Sequence, residues 1–283
     1  MRSRQPIEAF SDREAASLAS RSQYGDAVDL SPRFATPSSY VLDAPFRASE
    51  DLVRFGRTLV VAPHPDDETL GCGGAIALLR KAGVPVHVLV VSDGAASQPQ
   101  PSPFRTLRQV TQRETESLTA LDRLGVLPPC VKFLRLPDGN LPSFGDDRFA
   151  EAVERCAAVF QIAKPSTMLV PWRRDPHRDH RATWELAIAA AIKARCDTRW
   201  LEYPVWLWEH GQDGDIPRRS EAAVWRLDIA AVLPLKRRAV RAYRSQITDL
   251  IDDKPTRFRL STSVLARLDQ PWEIFFEDRP DGF

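Results

Sequence analysis

Two short stretches of this chain hold residue types that do chemistry when they meet. The first, His64-Pro65-Asp66-Asp67-Glu68, packs one imidazole and three carboxylates into five positions directly after the apolar run Leu59-Val60-Val61-Ala62. Neighbouring carboxylates repel, and each costs several kcal/mol if buried unpaired; a divalent cation removes that cost. His64 and Asp67, three positions apart in a tight turn, can point at one centre and offer an imidazole nitrogen and a carboxylate oxygen, both good zinc donors. Asp66, as the neighbour, points elsewhere and is left free to take a proton. The second stretch, RRDPHRDHRAT at 173–183, contains two of the five histidines. A catalytic zinc takes three protein ligands and leaves a position for water. One of His177 and His180 therefore completes the set. The other is placed for acid or oxyanion work, with Asp179 as an acceptor that orients an imidazole.

Positioning these residues requires two strand ends side by side. From Arg57 onward, short apolar runs alternate with amphipathic stretches. TLVVAP, VPVHVLVVSDG, VKFLRLPDG and STMLVPW read as strands. Helices are expected over TLGCGGAIALLRKAG, over RTLRQVTQRETESLTALDRLG with its stripe Leu107, Val110, Leu118, Leu121 and Leu124, over about 147–163, and over HRATWELAIAAAIKAR. Strands apolar throughout, separated by helices, argue a doubly wound α/β fold: a Rossmann-like, mostly parallel sheet with helices on both faces. Ligands bind outside the carboxyl ends of such strands, and both chemical stretches sit there. Residues 1–55, polar and interrupted by Pro32, Pro37 and Pro45, read as an N-terminal extension. Residues 56–283 read as the domain, with an irregular C-terminal part from about 200 lining the cleft.

The motif HPDDE after a first apolar strand, with PHRDHRAT after a later one, resembles the PIG-L/LmbE family of zinc-dependent N-deacetylases, which act on N-acetylglucosamine-type sugars. The similarity runs from about Gly56 to Arg195 and takes in RETESLTALDRLGV and LRLPDGNLP; YRSQ at 243–246 and WEIFFED at 272–278 are similar to the family's C-terminal elements. The resemblance implies Zn²⁺ on His64, Asp67 and His180, Asp66 as general base, and His177 as the group that stabilises the tetrahedral intermediate, with Asp179 paired to it. The chemistry agrees with the residue types. Zinc can lower the pKa of bound water to roughly 7. A donor such as protonated His177 aimed at a developing oxyanion is worth about 3–4 kcal/mol. The leaving amine then takes its proton from His177 or Asp66.

Other residues carry plainer readings. His87 and His210 read as structural, Glu68 as facing the first turn of its helix, and Arg113 with Glu116 as an intrahelical ion pair ahead of a substrate role. Asp138 reads as a turn residue to which the resemblance adds a substrate role, Asp179 equally as a helix N-cap, and Trp172, Trp206 and Trp208 as core. A formal net charge of +1 gives no footprint for nucleic acid. No run reaches the ~18 apolar residues that stable membrane insertion needs. Cys72, Cys130, Cys156 and Cys196, scattered singly, suit a reducing cytoplasm. The expected partner is a small-molecule or glycoconjugate substrate bearing an N-acetyl group; the extension offers a contact for a homo-oligomer. Three rivals stay open: a Rossmann-type nucleotide-binding oxidoreductase, suggested by Gly71, Gly73 and Gly74; a non-haem iron oxygenase, since two histidines and a carboxylate also bind iron; and a non-catalytic zinc- or carbohydrate-binding module.

Overall fold

In the computed structural model, residues 43–96, 103–247 and 260–278 are described. The sheet has eight strands: β1 Phe46–Arg47, β2 Thr58–Ala62, β3 Val86–Ser92, β4 Val131–Leu136, β5 Thr167–Pro171, β6 Arg199–Tyr203, β7 Ala222–Asp228 and β8 Trp272–Asp278. Their order is β1-β7-β8-β6-β5-β2-β3-β4. Every pairing from β6 to β4 is parallel, whereas β8 runs antiparallel to both β6 and β7. The helices are α1 Asp67–Lys81, α2 Pro103–Arg123, α3 Phe149–Ala163, α4 Arg178–Ala194, and four short ones: α5 Leu207–His210, α6 Leu233–Val240, α7 Arg244–Ile247 and α8 Thr262–Leu268. This is a mixed α/β fold, one mostly parallel sheet flanked by helices.

The unbroken apolarity of β2 has a direct cause: both its faces are covered. Val60 and Ala62 join one hydrophobic cluster with Leu70, Ile76 and Leu79 of α1 and Leu121 of α2. Leu59 and Val61 join the other, with Phe160 of α3 and Leu186 and Ala190 of α4. Because β2 pairs with both β3 and β5, the turns leaving β2 and β5 emerge side by side.

The glycines of α1 serve packing. A Cβ on Gly71 would lie 2.3 Å from the Tyr203 ring, and one on Gly74 2.5 Å from Ile229 Cγ2. They sit inside the helix rather than in a phosphate-cradling turn, so the feature that suggested a nucleotide site is a close helix contact.

Three expectations need correction. The division at 55/56 falls too late: β1 pairs with β7, and Leu52 and Phe55 lie in the core. Prolines and polar neighbours disguised this short buried piece; residues 1–42 lie outside the described set. The part beyond 200 is not irregular, because it supplies β7, β8 and most of β6. Their charged residues pair across strands, Arg199 with Glu277 at 2.6 Å for one, which broke the apolar pattern. The α2 stripe, finally, does not include Leu107, which is 66% exposed.

Candidate active site

The turn after β2 bends sharply. Asp66 has φ 149° and ψ −30°, a left-handed conformation that strains any residue with a Cβ and persists only where the surroundings enforce it. Its carbonyl accepts from Thr69 and Leu70 N–H, both at 2.9 Å, and its own N–H donates to Glu68 Oε2 at 3.0 Å. Glu68 is fully buried. Its other oxygen accepts from Ser117 Oγ of α2 at 2.6 Å and from the Tyr243 hydroxyl. Glu68 thus faces its own first turn, as expected, and also ties that turn to two distant elements. Burial raises its pKa against the pull of Ser117 and Tyr243.

That bend separates the two aspartates. Asp67 Oδ2 lies 3.1 Å from His64 Nδ1 and 3.2 Å from His180 Nε2. Asp66 turns away, its Oδ2 3.2 Å from the Arg113 guanidinium, which also donates to the Pro65 carbonyl at 2.6 Å. The expected Arg113–Glu116 pair does not form; Glu116 accepts instead from the Ser245 N–H at 2.9 Å and hydroxyl at 2.5 Å. Burial pushes Asp66 up to about 8 against the pull of Arg113. Asp67 is held well below the carboxylate range, because His180 and His64 outweigh its burial.

The turn after β5 supplies the other half. His177 is the N-cap of α4, its Nδ1 accepting from Asp179 N–H at 3.2 Å, so the expected cap role of the Asp179 carboxylate passes to the imidazole. With Nδ1 accepting, a neutral His177 carries its proton on Nε2. Burial, helped by His180 and His64, lowers His177 to about 4, so its donor at neutral pH is this neutral N–H and not the protonated ring expected. The Asp179 carboxylate meets the other turn instead: Oδ2 lies 3.3 Å from His64 Nε2 and accepts from Gly139 N–H at 2.7 Å. Asp138 Oδ1 lies 3.1 Å from the same nitrogen, so Asp138 belongs to the site and is more than a turn former.

The site suits a cation by the chemistry of its donors. His180 is fully buried, and neither ring nitrogen makes an aligned hydrogen bond. His64 and His180 keep their protons far more tightly than usual, at about 9 for His180. Burial works against this, but the surrounding carboxylates prevail, Asp67 and Asp175 at His180 and Asp138, Asp179 and Asp67 at His64. Carboxylates that draw protons onto imidazoles equally favour a metal ion in the protons' place. Among the described residues, two trios have ligand atoms all within 4.8 Å of one another, His64–His177–His180 and His64–Asp138–Asp179. Asp67, the third member of the expected set, is in neither trio, although its Oδ2 lies 3.1 Å from His64 Nδ1 and 3.2 Å from His180 Nε2.

A pocket of about 240 Å³ opens over these groups, lined by His64, Asp66, Asp67, Arg113, Asp138, His177, Trp206, His210 and Gln246 among others. His210, expected to be structural, stacks on Trp206 at 5.6 Å and forms part of the wall. Trp206 lines it too, whereas Trp172 and Trp208 belong to a separate core cluster. Asp175 escaped the sequence reading. It is fully buried, accepts from His177, Val205 and Trp206 N–H at 3.0, 3.3 and 3.1 Å, and places Oδ1 3.5 Å from His180 Nδ1. Its one sequence signal was its place two residues before His177 in the quoted stretch.

Fold and site together define an α/β protein with a histidine–carboxylate centre in a pocket at the carboxyl ends of adjacent parallel strands. Residues 59–191 match the family model described as PIG-L, GlcNAc-PI de-N-acetylase. It is 27% identical, over 74% of its length and 86% of the relative's, to a 1D-myo-inositol 2-acetamido-2-deoxy-alpha-D-glucopyranoside deacetylase of Nocardia farcinica. It is 26% identical, over 74% and 80%, to a 4-oxalmesaconate hydratase of Pseudomonas putida. The N,N'-diacetylchitobiose deacetylase structure from Pyrococcus horikoshii shares the fold, with a TM-score of 0.56 and 22% identity over 71% of this chain and 74% of that one.

Proposed function

We propose that this protein is a zinc-dependent N-deacetylase that hydrolyses the acetamide of an N-acetylglucosamine-type sugar or related acetamido conjugate, on a doubly wound, Rossmann-like core. One observation carries the reading. The strained turn at Asp66 sends adjacent carboxylates to different tasks, Asp67 toward His64 and His180 and Asp66 into the pocket against Arg113. A binding module would need only the first. The family match, and relatives named as deacetylases of acetylated sugars, support the choice of reaction.

His64, Asp67 and His180 would hold the metal. A zinc ion supplies Lewis acidity, which makes water nucleophilic near neutral pH and polarises a carbonyl. Asp66, whose ionised form Arg113 and a bound cation would both favour against burial, takes the proton from the attacking water on its carboxylate. His177 offers Nε2–H to the oxygen on which negative charge develops, its ring fixed by the Asp179 N–H on Nδ1. A positioned donor of this kind contributes about 3–4 kcal/mol. The departing amine takes its proton from Asp66, which acquired one from the attacking water. Trp206 and His210 form a wall suited to the face of a sugar ring. The four free cysteines support a reducing, cytoplasmic compartment. No described helix is long and apolar enough to cross a membrane.

The test is elemental analysis of the purified protein together with amine release from a panel of N-acetylglucosamine conjugates, before and after chelation. Near-stoichiometric zinc with chelator-sensitive amine release is the expected result. Bound metal with no release from any acetamide would overturn the deacetylase reading and direct attention to water addition, the reaction named for the Pseudomonas putida relative.

A further inference from the structure

Asp175 stands behind the site rather than in it. Its two oxygens divide their work. Oδ1 accepts from His177 N–H at 3.0 Å and faces His180 Nδ1 at 3.5 Å. Oδ2 accepts from Val205 and Trp206 N–H at 3.3 and 3.1 Å. Its side chain has no solvent exposure. His180 is equally buried, and no aligned partner is present for its Nδ1. The other nitrogen, Nε2, points at Asp67. His64 is arranged in the same way: Nδ1 faces Asp67, and Nε2 faces Asp138 and Asp179. Each imidazole therefore has a carboxylate on the side away from Asp67.

We infer that Asp175 is a positioning residue for His180: it accepts the Nδ1 proton, fixing the tautomer that leaves Nε2 free as a metal donor, and it couples that donor to the Trp206 wall of the pocket. The inference rests on the reading of His180 as a metal ligand. Two features make the geometry specific. A carboxylate is acceptor-only, so Asp175 can face the four N–H groups around it without turning a donor toward any of them. Those groups come from separate segments, the entry to α4 and the exit of β6, so this one buried side chain sets the position of a proposed ligand against the pocket wall. Partners behind metal-bound histidines fix ring orientation and raise ligand basicity, and their loss typically lowers metal affinity by about 10–100-fold.

Asparagine at this position is nearly isosteric but must turn its NH₂ toward one of the two N–H sets. The experiment compares wild-type and Asp175→Asn protein for zinc affinity by chelator competition. In parallel, long-range ¹H–¹⁵N correlation of zinc-loaded, ¹⁵N-histidine-labelled wild type reads the His180 tautomer, assigned by the signal lost in His180→Gln. The expected results are a zinc affinity about 10–100-fold weaker in Asp175→Asn and a wild-type His180 protonated at Nδ1 with zinc on Nε2. The tautomer measurement needs no Asp175 variant, so it holds if Asp175→Asn fails to fold. Zinc on Nδ1, or unchanged zinc affinity in folded Asp175→Asn, would overturn the inference while leaving the metal centre intact. A wild-type protein that takes up no zinc would overturn the metal-centre reading and this inference with it.

Discussion

Helix α1 carries two buried carboxylate clusters less than three turns apart, and they are built on opposite plans. Midway along it, Glu273 reaches in from β8. Its Oε1 accepts from Gly74 N–H at 2.6 Å and from the Lys236 ammonium at 2.7 Å, and its Oε2 accepts from Ala75 N–H at 2.8 Å. Its charge is neutralised within the chain, and both oxygens are engaged. At the first turn, Asp67 faces two imidazoles whose charge is conditional on a proton, one of them lacking any aligned partner, beside an Asp66 in a strained conformation. The first arrangement is complete and structural. The second is met only by protons on imidazoles, where a metal ion could take their place, and such incompleteness in a buried cluster marks function.

The sharpest way to break this contrast is Asp66→Asn. Asparagine keeps the shape and the hydrogen bond to Arg113 but cannot accept a proton. Amine release should fall by about 10²–10⁴-fold, the usual contribution of a positioned base, while metal content stays near wild type. Equal turnover in this variant would refute the role given to Asp66. Glu273→Ala should show the converse. It leaves Lys236 buried and unpaired, which typically costs about 3–5 kcal/mol. Urea unfolding would read that loss, with metal per folded molecule unchanged. If metal content falls instead, the clusters are not independent.

How much of this was legible in sequence follows the range of the contacts. His64, Asp66, Asp67, His177, Asp179 and His180 were readable as candidates because each set lies within a few positions of chain on a strand-to-helix turn, where spacing alone restricts direction. Strands β2, β3 and β5 were readable because burial on both faces leaves few polar interruptions, the half-buried His87 of β3 being one. Glu68 was only half legible, since its partner Tyr243 lies 175 positions away. Asp175 and His210 were hidden for the same reason: each acquires meaning from a segment that only the tertiary fold brings near. Leu107 misled because one exposed residue in phase with a stripe has the same period as a buried one.

Gly71→Ala probes the helix between the two clusters. The added methyl would meet the Tyr203 ring at 2.3 Å, and that ring is pinned by its hydroxyl donating to Val61 O at 2.8 Å. Overpacking of this kind costs about 1–3 kcal/mol, against the 0.5–1 kcal/mol that alanine normally contributes over glycine within a helix. A net loss in unfolding free energy is expected. Because Gly71 follows Asp67 by one turn, metal affinity should fall as well, in contrast to Glu273→Ala. A Gly71→Ala protein as stable as wild type would show that α1 can shift as a body.

The smallest effect comes from a histidine outside both clusters. His87 lies half-buried on β3, and burial, followed by the nearby positive charge of Arg57, lowers its pKa below the usual 6.5. A base with a depressed folded pKa binds its proton more readily in the unfolded chain, so its contribution to stability is present above 6.5 and is lost as pH falls through the folded value. Replacing it with glutamine removes the titration without removing a polar side chain. Urea midpoints of metal-free protein taken at pH 7.5 and again at mildly acid pH should therefore drop less in His87→Gln than in wild type, with zinc binding at neutral pH the same in both. A larger drop in the variant would mean that His87 gains a partner on protonation. In that case conditional charge would not be confined to the turns at the strand ends, and the division between structural and functional clusters would have to be redrawn.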